Sequence, residues 1–139
     1  MISFPNITEI KYVACDLANQ FMLWNEPIPD FSTRFENILE SCIATPQQIF
    51  GGKQLYPGLY KKGAMLFYLM IKNHPFQNGN KRIAVMTLLY FLHKNNRWLK
   101  LTNEGIYFIA KYVAESKAED KDHMLLMIHD IIRNNSVII

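Results

Sequence analysis

The stretch GAMLFYLMIKNHPFQNGNKRIAVMTLLYFL, residues 63–92, decides the fold. Two apolar runs, GAMLFYLMI (63–71) and IAVMTLLYFL (83–92), flank a polar segment holding a histidine, three asparagines, a glycine and a Lys-Arg pair. The first run predicts a helix over 58–72 and the second a helix over 80–94. From Ile83 to Leu92 apolar residues cover most of the circumference, the pattern of a central helix surrounded by others. The polar segment is then a loop held between two core helices.

Outward from this pair the signals remain helical. Ile7, Ile10, Val13, Ala14, Leu17 and Phe21 recur at helical spacing and predict a first helix ending before NEPIPD. Pro27 and Pro29 make that segment a helix-breaking connector. Thr33 with Glu36 reads as a capping box, opening a helix with Phe35, Ile38, Leu39, Cys42 and Ile43 on one face. Pro46 after Thr45 opens a short helical turn. Gly51-Gly52 forces a tight turn, and the run Lys53, Gln54, Leu55, Tyr56 is too short for a core element and reads as an exposed flap. Pro57 begins the next helix. NNRWLKLTNEG (95–105) is a connector with a short extended piece. Thr102 or Asn103 caps a helix carrying Ile106, Ile109, Tyr112 and Val113. Ser116 with Glu119 makes another capping box, for a last helix through Leu125, Ile128, Ile131 and Ile132. The apolar tail SVII (136–139) either closes the core or packs on a second chain. The expectation is a single all-α domain over 1–139, with a central helix wrapped by the others.

Composition narrows the function classes. The chain has 139 residues, half of them apolar, and a net charge of +3. Lys and Arg are scattered, which disfavours a nucleic-acid binder with its basic stripe. Cys15 and Cys42 have neither metal-type nor CxxC spacing and read as buried thiols in a reducing, cytoplasmic compartment. MISFPNITEI lacks the basic and apolar regions of a signal peptide. The longest unbroken apolar run, residues 64–71, falls short of the roughly 20 residues that span a bilayer, so no membrane is expected. His93, His123 and His129 read as structural, since His123 and His129 would not face the same way on a helix and make a poor metal pair.

Two features of HPFQNGNKR (74–82) carry chemistry. Gly79 followed by Asn80 at a helix start exposes backbone N–H groups at the positive end of the helix dipole, a cradle for phosphate oxygens. Lys81 and Arg82 would supply mobile positive charge over the same spot. They oppose the dipole there, which hints at a second role. His74 supplies an imidazole that can accept a proton from a hydroxyl. A base beside a phosphate cradle is the minimum equipment for moving a phosphate or nucleotidyl group onto a hydroxyl. Phe76, the one large apolar group, is expected to plug into the core, and Pro75 to stiffen the backbone beside His74.

These residues resemble the signature loop of the Fic/Doc (death-on-curing) proteins, His-x-Phe-x-acid-Gly-Asn-Gly/Lys-Arg. The resemblance runs over about 35–98, through the helix, the Gly-Gly flap and the two central helices. It implies the all-α Fic fold and transfer of part of a nucleotide, with ATP as substrate and Mg²⁺ as its ion, to a protein hydroxyl. His74 would be the general base, Gly79 and Asn80 the anion hole, and Arg82 a phosphate ligand. The flap Gly51, Gly52, Lys53, Gln54, Leu55, Tyr56 would register the target as an added strand.

Three departures shape the expectation. Adenylylating members carry Gly where Lys81 stands, and a second Arg where Val85 stands. The Doc branch shares the Lys and lacks that Arg, which implies phosphorylation of a translation elongation factor in place of adenylylation. At Asn78 the family places an acid that holds Mg²⁺; an amide oxygen ligates without charge, which leaves a weaker metal site or a degenerate one that only binds. STRFEN (32–37) fits the self-inhibitory pattern of some Fic proteins, yet Val85 leaves its Glu no arginine. The resemblance then implies an external brake, an antitoxin partner. The expected activity is that of a Doc-like toxin.

Overall fold

The computed structural model describes residues 1–21 and 26–139, with the backbone alone for residues 14, 15, 20 and 21. The readings made for the side chains of Ala14, Cys15 and Phe21 lie outside the described residues.

The first helix starts where local chemistry allows it. Asn6 accepts the Glu9 N–H and Glu9 reaches back to the Asn6 N–H, a capping box that opens α1 (Ile7–Ile10). The helix widens into a π-helical stretch, Lys11–Leu17, and continues as α2 (Ala18–Phe21). Ile10, Val13 and Ala18 are buried, the first two on the predicted face.

Neither predicted capping box forms: each helix starts beyond the hydroxyl residue, and each hydroxyl donates to a carbonyl three residues back. Thr33 Oγ1 donates to the Asp30 carbonyl inside a 3₁₀ turn, while Glu36 pairs with Arg34 at 2.5 Å. The helix α3 (Glu36–Ala44) therefore starts without a side-chain cap. Leu39 and Cys42 are buried as expected, but Phe35 and Ile38 are exposed. Ser116 Oγ likewise donates to the Val113 carbonyl and ends the preceding helix; α7 (Lys121–Asn135) starts after it, again uncapped by a side chain.

The centre is α4 (Leu59–Lys72) against α5 (Asn80–Lys94), as the apolar runs predicted. Every residue of α4 from Lys62 to Ile71 is buried. In α5, Ile83, Ala84, Val85, Leu88, Leu89, Phe91 and Leu92 are buried on nearly all sides. α7 packs along α4, and α6 (Asn103–Glu115) along α5, with Thr102 Oγ1 accepting the Gly105 N–H as its cap. Ile106, Ala110 and Val113 turn inward; Tyr112, predicted on that face, is exposed. Burying the apolar sides of these helices at about 25 cal/mol per Å² is the main stabilising term.

Among the described residues, four short strands punctuate the helices. β1 (Ile49–Phe50) and β2 (Lys53–Gln54) form the flap hairpin. β3 (Arg97–Leu99) pairs antiparallel with β4 (Ser136–Ile138), Trp98 opposite Val137. The tail SVII thus closes against the chain's own connector. Among the described residues no helix is long and apolar enough to cross a membrane.

Candidate active site

One buried side chain shapes the loop between α4 and α5. Asn80 accepts the Phe76 N–H on Oδ1 at 3.0 Å and donates Nδ2 to the Phe76 carbonyl at 2.9 Å. The pair of bonds also fixes which way the amide faces, because a flip would set donor against donor. Phe76 is buried as expected and meets Phe31 with ring centroids 6.0 Å apart. The Phe35 N–H donates to the Pro75 carbonyl at 2.9 Å, tying the start of α3 to the loop.

Between these anchors His74 stands exposed, with φ at 49°, a left-handed backbone that a non-glycine residue adopts only under constraint. Asn80 Nδ2 lies 3.4 Å from His74 Nδ1. Since the amide is fixed, that group is the donor, and a neutral ring facing it carries its proton on Nε2 and its lone pair on Nδ1. The loop then enters α5 through Gly79, left-handed at φ 70°, and no side chain caps the helix. The positive end of its dipole is left beneath the loop, as an anion cradle requires.

The cradle's own positive groups are not mobile over it, contrary to the sequence-based expectation. Arg82 is 5% exposed, and its guanidinium donates to the Ala18 carbonyl at 2.6 Å and to the Glu26 carbonyl. Burial lowers its pKa, against the charge of Glu26, which raises it. Lys81 Nζ pairs with Glu26 Oε2 at 3.0 Å, and the Tyr107 hydroxyl donates to the same oxygen at 3.3 Å. Pro27 and Ile28 lie directly over the glycine: a Cβ on Gly79 would sit 2.8 Å from the Pro27 carbonyl oxygen and 2.9 Å from Ile28 Cδ1. Sequence reasoning missed Glu26. No local pattern links it to Arg82, 56 residues away.

Asn78 is exposed, and its Oδ1 accepts the Gly79 N–H at 2.8 Å. The oxygen assigned to Mg²⁺ by resemblance is thus turned back on the chain. Among the described residues no three His, Cys, Asp or Glu side chains gather into a metal-holding group. This donor set does not fit an ion held by the protein.

The flap has the expected turn: Gly51 and Gly52 have φ of 57° and 77°, the positive values that two-residue hairpin turns use. Its strand residues are exposed. Its base is tied to buried Lys62, which donates to Gln54 Oε1 and to the Tyr56 carbonyl. Lys62 lies near the start of α4, and about 15 Å of helix separates it from Lys72 beside the loop. The structure therefore groups His74, Phe76, Asn78, Gly79, Asn80, Lys81 and Arg82, and sets the flap's anchor toward the opposite end of α4. Two of the other histidines have structural contacts, and His123 is exposed. His93 meets Trp98 edge-on, while His129 contacts Asp130 and Tyr60.

The Fic/DOC family pattern matches residues 11–92, more than half of the chain, and the loop lies within it. Among curated proteins, Toxin Doc of Mycolicibacterium smegmatis is 35% identical over 66 residues, 48% of this chain and 51% of that protein. The match thus spans about half the length of that relative. No solved structure matches the chain. With its helical architecture built around the matching pair α4 and α5, this chain belongs to the Fic/DOC family.

Proposed function

We propose that the chain transfers the γ-phosphate of ATP to a hydroxyl on a protein target, a translation elongation factor by its resemblance to the Doc branch, and acts as a toxin restrained by an antitoxin. The observation that carries the reading is the loop locked by Asn80 and Phe76, which presents exposed His74 beside an uncapped helix N-terminus. After rotating away from Asn80, Nδ1 of neutral His74 would take the proton of the target hydroxyl. The hydroxyl oxygen then bonds to the γ-phosphorus while its bond to the leaving nucleoside diphosphate breaks. Gly79, Asn80, Lys81 and Arg82 would hold the phosphates, and Mg²⁺ would arrive with the nucleotide. Lys81 and Val85 favour this over adenylylation. The name of the relative from Mycolicibacterium smegmatis supports the toxin assignment.

The orientation of Asn78 favours a second reading, a Fic-fold module that binds without turnover. The test is incubation with ATP, Mg²⁺ and a bacterial translation extract, followed by intact masses. An added phosphate on a target is expected with the wild type, and none with His74→Ala. An adenylyl group would replace the kinase reading, and unmodified targets with Mg²⁺ and with Mn²⁺ would establish the binding module.

A further inference from the structure

We infer that Glu26 is a built-in competitor for the phosphate site, so that an anion binds at Lys81 and Arg82 only by displacing the segment Glu26–Pro27–Ile28. The inference rests on the reading of this loop as a phosphate site, and it names how that site is regulated. The Glu26 carboxylate stands where a phosphate oxygen would, on Lys81 Nζ at 3.0 Å, with the Tyr107 hydroxyl as a second donor. Its backbone carbonyl takes the Arg82 guanidinium, together with the Ala18 carbonyl. Pro27 and Ile28 lie within van der Waals reach of Gly79, closing the side from which a ligand would approach its backbone.

Each contact has the chemistry of a substitute. A carboxylate on an ammonium and carbonyls on a guanidinium are what phosphate oxygens would replace. The Lys81–Glu26 pair is only partly buried, with side-chain exposures of 27% and 15%, so it is modest in strength and open to exchange. The bonds that shape the loop run between Asn80 and Phe76, outside the segment. The device differs from a pattern confined to residues 32–37: Glu36 there pairs with Arg34 and does not reach the site.

The experiment is calorimetric titration of ATP and, separately, inorganic triphosphate into the wild type, Glu26→Gln, Lys81→Met and the double variant. Glu26→Gln keeps the backbone carbonyl and nearly the same shape while removing the competing charge. Binding of both ligands should tighten about five- to tenfold in Glu26→Gln. That gain should vanish when Lys81 is Met. Thermal melts identify any unfolded variant, and Glu26→Ala, with the side chain removed, should show the same gain. Equal or weaker binding in folded Glu26→Gln and Glu26→Ala overturns the inference. Transfer assays run in parallel separate the two claims. Tighter binding without transfer keeps the competitor and removes the transferase; transfer by the wild type with no gain in Glu26→Gln does the reverse. No binding by any variant up to millimolar ligand removes both.

Discussion

Gly79 shows how much one residue carries in this site. Its φ of 70° is a conformation that a side chain disfavours by roughly 1 kcal/mol. A Cβ there would also approach the Pro27 carbonyl to 2.8 Å, closer than packed atoms allow. The two effects call for different responses. The backbone penalty stays whatever the neighbours do, whereas the clash is relieved if the covering segment lifts. Gly79→Ala should therefore destabilise the fold by about 1–3 kcal/mol in urea unfolding. Exchange of the Gly79 amide with solvent should quicken as the segment is pushed away. A variant as stable as the wild type would mean that the left-handed turn is dispensable. Glycine at the entry to α5 was legible in the sequence as an anion cradle, but its cover was not. A cradle is a local pattern, while its cover comes from a connector brought in by tertiary packing.

At the scale of elements, the sequence was most informative where burial dictates the residues. The ends of α5, Asn80 and Lys94, follow from the apolar run and from the Asn-Gly-Asn before it. Helix starts were less legible, because a Ser or Thr can sit in a turn before the helix or at the end of the previous one instead of at the cap. Thr33 and Ser116 do so, each donating to a carbonyl three residues back. The flap shows a different limit. Its exposure and turn follow from Gly51-Gly52, but nothing in the sequence marks Lys62, inside a buried helix, as its anchor. Lys62 is 7% exposed, burial lowers its pKa, and among the described residues no carboxylate pairs with it. A two-stranded hairpin is marginal by itself, so its placement depends on such ties. Lys62→Met should leave the helical core within about 1 kcal/mol of the wild type, since a desolvated charge is exchanged for an apolar stem. It should also speed exchange of the Leu55 amide, now bonded to the Gln48 carbonyl, at least about tenfold in native-state hydrogen exchange. Unchanged exchange would show that packing by Tyr56 holds the flap without the lysine.

Across the whole molecule, two groups that must stay protonated join separate elements to the core. Cys42, fully buried on α3, has its thiol pKa pushed up to about 12 by desolvation. Tyr90 on α5 donates to Glu9 on α1, and that bond first, then burial and the Glu9 charge, raise its pKa to about 12. In an unfolded chain both groups ionise earlier, a thiol near 8.5 and a phenol near 10. A folded-state pKa above the unfolded value means that the stabilisation is complete below the unfolded pKa. It is lost as pH rises toward the folded one, because only the unfolded state releases its proton in that window. Unfolding free energy should thus be nearly flat from about pH 6 to 8 and fall between about pH 9 and 12. The Cys42 share of that fall is on the order of 2–4 kcal/mol, an upper range for a desolvated thiol. Cys42→Ala should be somewhat less stable at pH 7 for its lost packing, yet lose less between pH 9 and 12 than the wild type does. Urea titrations at pH 7, 9 and 11 measure both effects in one series. The remaining tyrosines and lysines, common to both proteins, cancel in the comparison. If the two curves run parallel above pH 9, the Cys42 thiol ionises as readily in the fold as outside it, and α3 is not sealed against the core as the structure shows.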